Sequence, residues 1–161
     1  MKKNQKGFSL IELLIVVVII GIIAAIAIPN LLASRRAANE GSAVSAVRTL
    51  HGANVTFQAT QGSGAFAANL GALNTANLID SVFSSASSSA NAKSGYFYTY
   101  NTAAGPPSTF TTVAAPSVGS GITATGTRAF FIDESGVIRF TVGTATAAPA
   151  TPTVLSPPLN N

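Results

Sequence analysis

Glu12 is the residue of this chain whose placement most demands a chemical explanation. It closes the string Lys6-Gly7-Phe8-Ser9-Leu10-Ile11-Glu12, and an unbroken apolar run from Leu13 to Ile28 follows. A carboxylate just inside a segment long enough to cross a bilayer is expensive. The cost is on the order of 3 kcal/mol at mid-membrane on insertion scales, and less near an edge. A simple anchor would carry Leu at that position, so Glu12 calls for a function or a partner.

Other groups offer less. His51 is the only histidine, with no second ligand at metal spacing, and reads as a helix-face residue packed under a folded domain. Asp133 and Glu134 are adjacent carboxylates that could serve a calcium site, but neighbours point apart, and Asp133-Glu134-Ser135-Gly136 reads as a hairpin turn. Tyr96, Tyr98 and Tyr100 share one face of a strand and read as core or subunit-contact residues. Asn54-Val55-Thr56 has the glycosylation pattern but falls within a helix. The chain has no cysteine, which excludes disulfides, thiolate metal sites and cysteine nucleophiles.

Composition narrows the class further. Charged residues make up only 9% of the 161, against about 25% in an average domain. Ser, Thr, Ala, Gly and Asn take their place, as suits an extracellular surface packed against copies of itself. The formal charge is +4, but Lys2, Lys3 and Lys6 precede the apolar run. The rest balances six basic residues (Arg35, Arg36, Arg48, Lys93, Arg128, Arg139) against five acidic ones (Glu12, Glu40, Asp80, Asp133, Glu134). That remainder is too small for a phosphate-tracking stripe, so no specific nucleic-acid partner is expected. Arg35-Arg36 reads as a solvated helix face.

The elements that position Glu12 come next. Phe8 to Ile28 would form a helix roughly 31 Å long, matching a hydrocarbon core of about 30 Å. Three lysines before it and no basic residue after it until Arg35 place the N-terminus in the cytoplasm and the bulk of the chain outside. The run is too long for an ordinary signal peptide. A cleavage site is better sought before it, at Gly7-Phe8, than at Ala24-Ala25 or Ala27.

Lys-Gly, then Phe-Ser-Leu-Ile-Glu, then a Leu/Ile/Val run ending in Ile28-Pro29-Asn30, resembles the class III leader of type IV prepilins and type II secretion pseudopilins. The likeness is dense over residues 6–30 and only architectural beyond about residue 60. It implies cleavage after Gly7 by a membrane prepilin peptidase and N-methylation of Phe8. It implies an assembly role for Glu12, which can pair with the Phe8 amine of another subunit. In a low-dielectric helix bundle such pairing offsets the desolvation of both charges. The amine of Phe8 in the same chain is the local partner expected before assembly.

Beyond the run, Pro29 is expected to kink or locally melt the helix, because it cannot donate to the carbonyl of Ala25. Val44, Val47, Leu50/His51 and Val55 then mark one stripe at helical spacing, with Arg35, Arg36, Glu40 and Arg48 largely off it. Gly41 and Gly52 mark flexible points or close packing, and Gly21 with Ala25 forms a small-xxx-small pair suited to close helix approach. One long interrupted helix reaches about residue 59. Residues 65–83 should give one or two short helical turns on it, and 84–92 a loop. Strands are expected at Tyr96–Tyr100, Phe110–Val113, Arg128–Ile132 and Val137–Val142, with a turn at Pro106-Pro107 and a hairpin at 133–136.

The fold class is therefore α+β: a long N-terminal helix with a small antiparallel sheet packed on its second half, as in pilins. The divisions are a leader at 1–7, a transmembrane and polymerisation helix at 8–29, an amphipathic spine at 30–60, a globular region at 61–142 and an Ala/Thr/Pro-rich tail at 143–161. The function expected is that of a structural subunit of a type IV pilus, forming a helical homo-oligomer. Its partners would be the prepilin peptidase/methyltransferase and the inner-membrane assembly machinery, with no cofactor and no enzymatic activity. It would be a single-pass inner-membrane protein before assembly and lie on the cell surface afterwards. The alternatives are a periplasmic pseudopilin of a type II secretion system and a membrane-anchored periplasmic binding domain. The last would need a polar constellation in residues 60–161, where no Ser-His-Asp set or metal cluster is found. The chain also lacks the paired C-terminal cysteines of many pilins, so another device must close that end.

Overall fold

The computed structural model describes residues 7–102, 105 and 107–142. The 143–161 tail, Pro106 and residues 1–6 of the leader lie outside them. The chain divides into two compact units, Met1–Ser34 and Arg35–Asn161. One helix, α1 (Leu10–Thr60), has residues in both.

The expected interruption at Pro29 is not found: the helix runs through it. Proline removes only the one backbone donor that would reach Ala25 O. With long helix on either side, loss of a single bond does not end the element.

In the second unit four strands follow: β1 (Tyr96–Thr102), β2 (Phe110–Pro116), β3 (Arg128–Asp133) and β4 (Arg139–Val142). They form one antiparallel sheet in sequence order. β-Branched and aromatic residues dominate β1 to β3, as such strands favour. Two short helices, α2 (Leu70–Thr75) and α3 (Ser81–Ser85), fall where helical turns were expected. Asn69 and Asp80 cap them, accepting from Ala72 N at 2.9 Å and Phe83 N at 2.7 Å.

The core forms where one sheet face meets the second part of α1. Ala43, Ala46, Val47, Leu50 and Ala53 of the helix join Tyr96, Tyr98, Ala114, Phe130 and Ile132 of the sheet, with Leu70, Leu73 and Phe83 beside them. The alternation of β1 puts its three tyrosines on this face, as expected. The helix stripe differs from the one expected. It runs through alanines, which let the sheet approach closely, and Val55 is exposed. Gly41 and Gly52 are not sites of close packing: a methyl group added at either would meet nothing within 4 Å.

Phe110 ties the far end together. Its ring lies 4.8 Å from Phe66, edge-on, and 5.9 Å from both Tyr100 and His51. Asn54, the glycosylation-type asparagine, is fully buried and accepts from Tyr100 Oη at 2.7 Å. No oligosaccharide can reach it in this fold.

Candidate functional site

The structure separates the chemistry-bearing residues into two sites. At the first, Gly7 and Phe8 precede α1 in non-helical backbone, and Phe8 is 89% exposed. An accessible backbone outside the helix is what a protease needs. The carboxylate of Glu12 turns back: Ser9 N donates to its Oε2 at 2.8 Å. Ser9 and Glu12 stand three apart at the helix start, so this bond is the returning half of a capping box. The carboxylate also sits at the positive end of the helix dipole. Its partner here is a backbone N–H one residue beyond Phe8. The motif Ser-x-x-Glu before an apolar run is legible in the sequence as a cap.

From Leu10 to Ile28 every Leu, Ile and Val side chain is more than half exposed or close to it, with Val16 lowest at 50%. Soluble monomers rarely leave contiguous apolar patches beyond a few hundred Å² uncovered. The helix is long and apolar enough to cross a membrane.

The second site is a polar seam along α1 that the sequence reading missed. Arg36 Nη2 donates to Gly121 O at 3.3 Å and Ile122 O at 3.0 Å. Asn39 Nδ2 donates to Thr125 O at 2.9 Å. Glu40 Oε1 accepts from Thr127 N at 2.8 Å and Thr127 Oγ1 at 2.9 Å. Its Oε2 accepts from Arg128 Nε at 2.8 Å and is ion-paired with Arg128 Nη2 at 2.6 Å. Burial, the largest single influence on Glu40, pushes its pKa up, but the donors of Thr127 and Arg128 together outweigh it and hold the carboxyl below its ordinary value of 4.5. The seam fastens the second half of the 117–127 connection, and the start of β3, to the helix. Residues 36, 40, 43, 47, 50 and 54 recur at three- and four-residue spacing, so the polar seam is the buried stripe continued toward the N-terminus. Arg36 therefore does more than face solvent, whereas Arg35 is exposed.

The remaining candidates are spread apart. Pro29 lies inside α1. Asp133 Oδ1 accepts from Ser135 N at 3.0 Å and from the Ser135 hydroxyl, closing the β3–β4 turn on itself. Glu134 is exposed beside it. Among the described residues no group of three His, Cys, Asp or Glu side chains could hold a metal.

Residues 2–28 match the family model described as the prokaryotic N-terminal methylation motif. The chain is 66% identical over 38 residues to the type IV wide pilus major component PilA4 of Thermus thermophilus, covering 24% of this chain and 29% of that protein. It is 40% identical over 52 residues to the type II secretion system core protein G of Aeromonas hydrophila, covering 32% and 36%. It is 46% identical over 54 residues to the type IV major pilin PilA of Myxococcus xanthus, covering 34% and 24%. The alignments span about a third of these relatives or less. No solved structure matches the chain.

Proposed function

We propose, for a chain that carries the prepilin-type methylation motif and whose N-terminal third is related to type IV pilins and to core protein G of type II secretion, that it is a structural subunit of a type IV pilus. A prepilin peptidase cuts after Gly7 and the new amine of Phe8 is methylated. The apolar run holds the subunit in the inner membrane with its N-terminus in the cytoplasm. The assembly machinery then extracts it into a helical homopolymer, found on the cell surface. The observation that carries this reading is the exposed apolar face of α1 with its single carboxylate, Glu12, four residues after Phe8. Packing such helices side by side buries that face, and the Glu12 of one subunit meets the Phe8 amine of the next. Pro29 lies just past the apolar run.

Mass spectrometry of the mature N-terminus tests the first step: N-methyl-Phe8 is expected. An unprocessed Met1, or a cut after Ala27, would overturn the reading in favour of a membrane-anchored periplasmic domain. Glu12→Ala tests the second: insertion persists and filaments are lost or sharply reduced, and normal filaments would refute the pairing.

The second reading is a pseudopilin of a type II secretion system, favoured by the likeness to core protein G. Electron microscopy of material sheared from the cell surface separates the two. Long fibres are expected of a pilin and none of a pseudopilin.

A further inference from the structure

The face of the sheet turned away from α1 is apolar at its centre. Tyr96, Tyr98, Ala114, Phe130 and Ile132 point into the helix-side core. Strand alternation therefore turns Phe97, Val113, Ala115, Ala129 and Phe131 to the opposite face. There Val113 pairs with Phe131 across β2 and β3, and Phe97 with Ala115 across β1 and β2. The small alanines beside the phenylalanines leave room for side chains laid across them.

An antiparallel sheet with one face on its helices commonly leaves the other to water. Here the second face is buried too. Val113 and Phe131 are each 1% exposed, and none of the five exceeds 7%. Yet α1, α2 and α3 all join the core on the other side. The 117–127 connection bonds to α1 and to Gly95, ahead of β1. Thr99 and Arg139 flank Val113 and Phe131 in the same cross-strand row and are half-buried themselves. That row still needs a cover laid over it, and the burial belongs to a single chain.

Residues 143–161, outside the described residues, suit this cover. They follow Val142 at the end of β4, and no charged side chain occurs among them. Val154 lies twelve positions beyond Val142. At about 3.3 Å per extended residue that is a reach of roughly 40 Å, against about 14 Å from β4 to β1 at ordinary strand spacing. Pro149, Pro152, Pro157 and Pro158 cannot donate to a ladder, so the segment is fitted to side-chain contact and not to a fifth strand. Their fixed φ also reduces the entropy lost on docking.

We propose that residues 151–159 form a strap across the outer face of the sheet, seating Val154, Leu155 and Leu159 on Phe97, Val113 and Phe131. The strap closes the carboxyl-terminal part of a chain that has no cysteine to do so. It is independent of whether the filament is a pilus or a pseudopilus.

With no native thiol, single cysteines report accessibility cleanly. The full chain, one copy per lipid nanodisc, is treated with a water-soluble maleimide. Val113→Cys should react at least tenfold more slowly than Thr123→Cys, at an exposed position. Removing residues 143–161 should accelerate Val113→Cys about tenfold, while Ala43→Cys, under the helix-side face, stays protected. Fast labelling of Val113→Cys in the full chain, or an unchanged rate after the removal, overturns the strap. Protection that appears only with two copies per disc assigns the cover to a second chain and also overturns it. If the removal exposes Ala43→Cys as well, the unit has unfolded, and Leu155→Asp in the full chain decides. Faster labelling at 113 with 43 still protected upholds the strap, and any other result refutes it.

Discussion

Ser9 donates its backbone N–H to the carboxylate of Glu12, and this bond ties the chemically expensive residue to the start of its own helix. A carboxylate at this point performs two tasks that a neutral amide can separate. Glutamine at position 12 keeps an oxygen able to accept from Ser9 N but loses the charge. Glu12→Gln should therefore preserve helix and membrane insertion, as carbonate-resistant membrane association would report, and still abolish filaments in electron micrographs. Filaments at normal length and number from this variant would mean that capping, and not charge, is what assembly uses.

Glu40 and Arg128 form the central ion pair of the seam, with side chains 9% and 38% exposed. Glu40→Gln removes the charge from three hydrogen bonds and an ion pair. Charged hydrogen bonds contribute about 1.5–3 kcal/mol each in mutational series, but the exposure of Arg128 moderates the loss, so the variant should be destabilised by roughly 2 kcal/mol in urea unfolding.

The same carboxyl predicts the acid behaviour. Its folded pKa lies below the ordinary 4.5, so its stabilisation is complete above pH 4.5 and drains away as pH falls below that value toward the folded one. Unfolding free energy followed from pH 6 downward should fall more steeply in the native chain than in Glu40→Gln. Parallel curves would show that the seam does not hold the charged form.

Tyr96, Tyr98 and Tyr100 are the chain's three tyrosines, and burial pushes all of their phenols above the ordinary 10, Tyr98 to about 12. The neutral forms are favoured in the fold. Their stabilisation is thus complete below pH 10 and is lost as pH rises beyond it. Ultraviolet titration should show no phenolate step near pH 10, and the phenolate signal should appear together with loss of strand circular dichroism. A separate tyrosine step in the folded state would contradict the packing.

Two glycines should respond oppositely to alanine. A methyl group at Gly126 would stand 2.6 Å from Cζ of Tyr96 and 2.9 Å from Cε2, and would overlap Oη. That ring is fixed by its Oη–H bond to Arg128 O at 2.7 Å. Gly126→Ala should cost on the order of 2 kcal/mol through overpacking. Gly41 lies mid-helix over open space, so Gly41→Ala should stabilise the unassembled chain by up to about 1 kcal/mol. Thermal melting of both variants checks the pair.

The sequence by itself determined the N-terminal third. The motif, the apolar run and the charges around it are contiguous, and their meaning rests on local periodicity and on the cost of charge in lipid. It also located α1, α2, α3 and the aromatic strands, because each has its own turn signals and composition. Its errors were ones of context. Pro29 was given too much weight because propensity argues residue by residue, while a long helix absorbs one missing bond. Val55 was assigned inward because apolar type was followed, whereas the alanines beside it set how close the sheet could come. Only the tertiary structure decided the seam. Arg36, Asn39 and Glu40 meet residues 85 to 88 positions away, through a Gly/Ser/Thr-rich connection that has no periodicity to read. Pairings at that separation come from the packing of sheet on helix. That packing fastens the connection between β2 and β3 to the helix and sets Ile122 against Arg36.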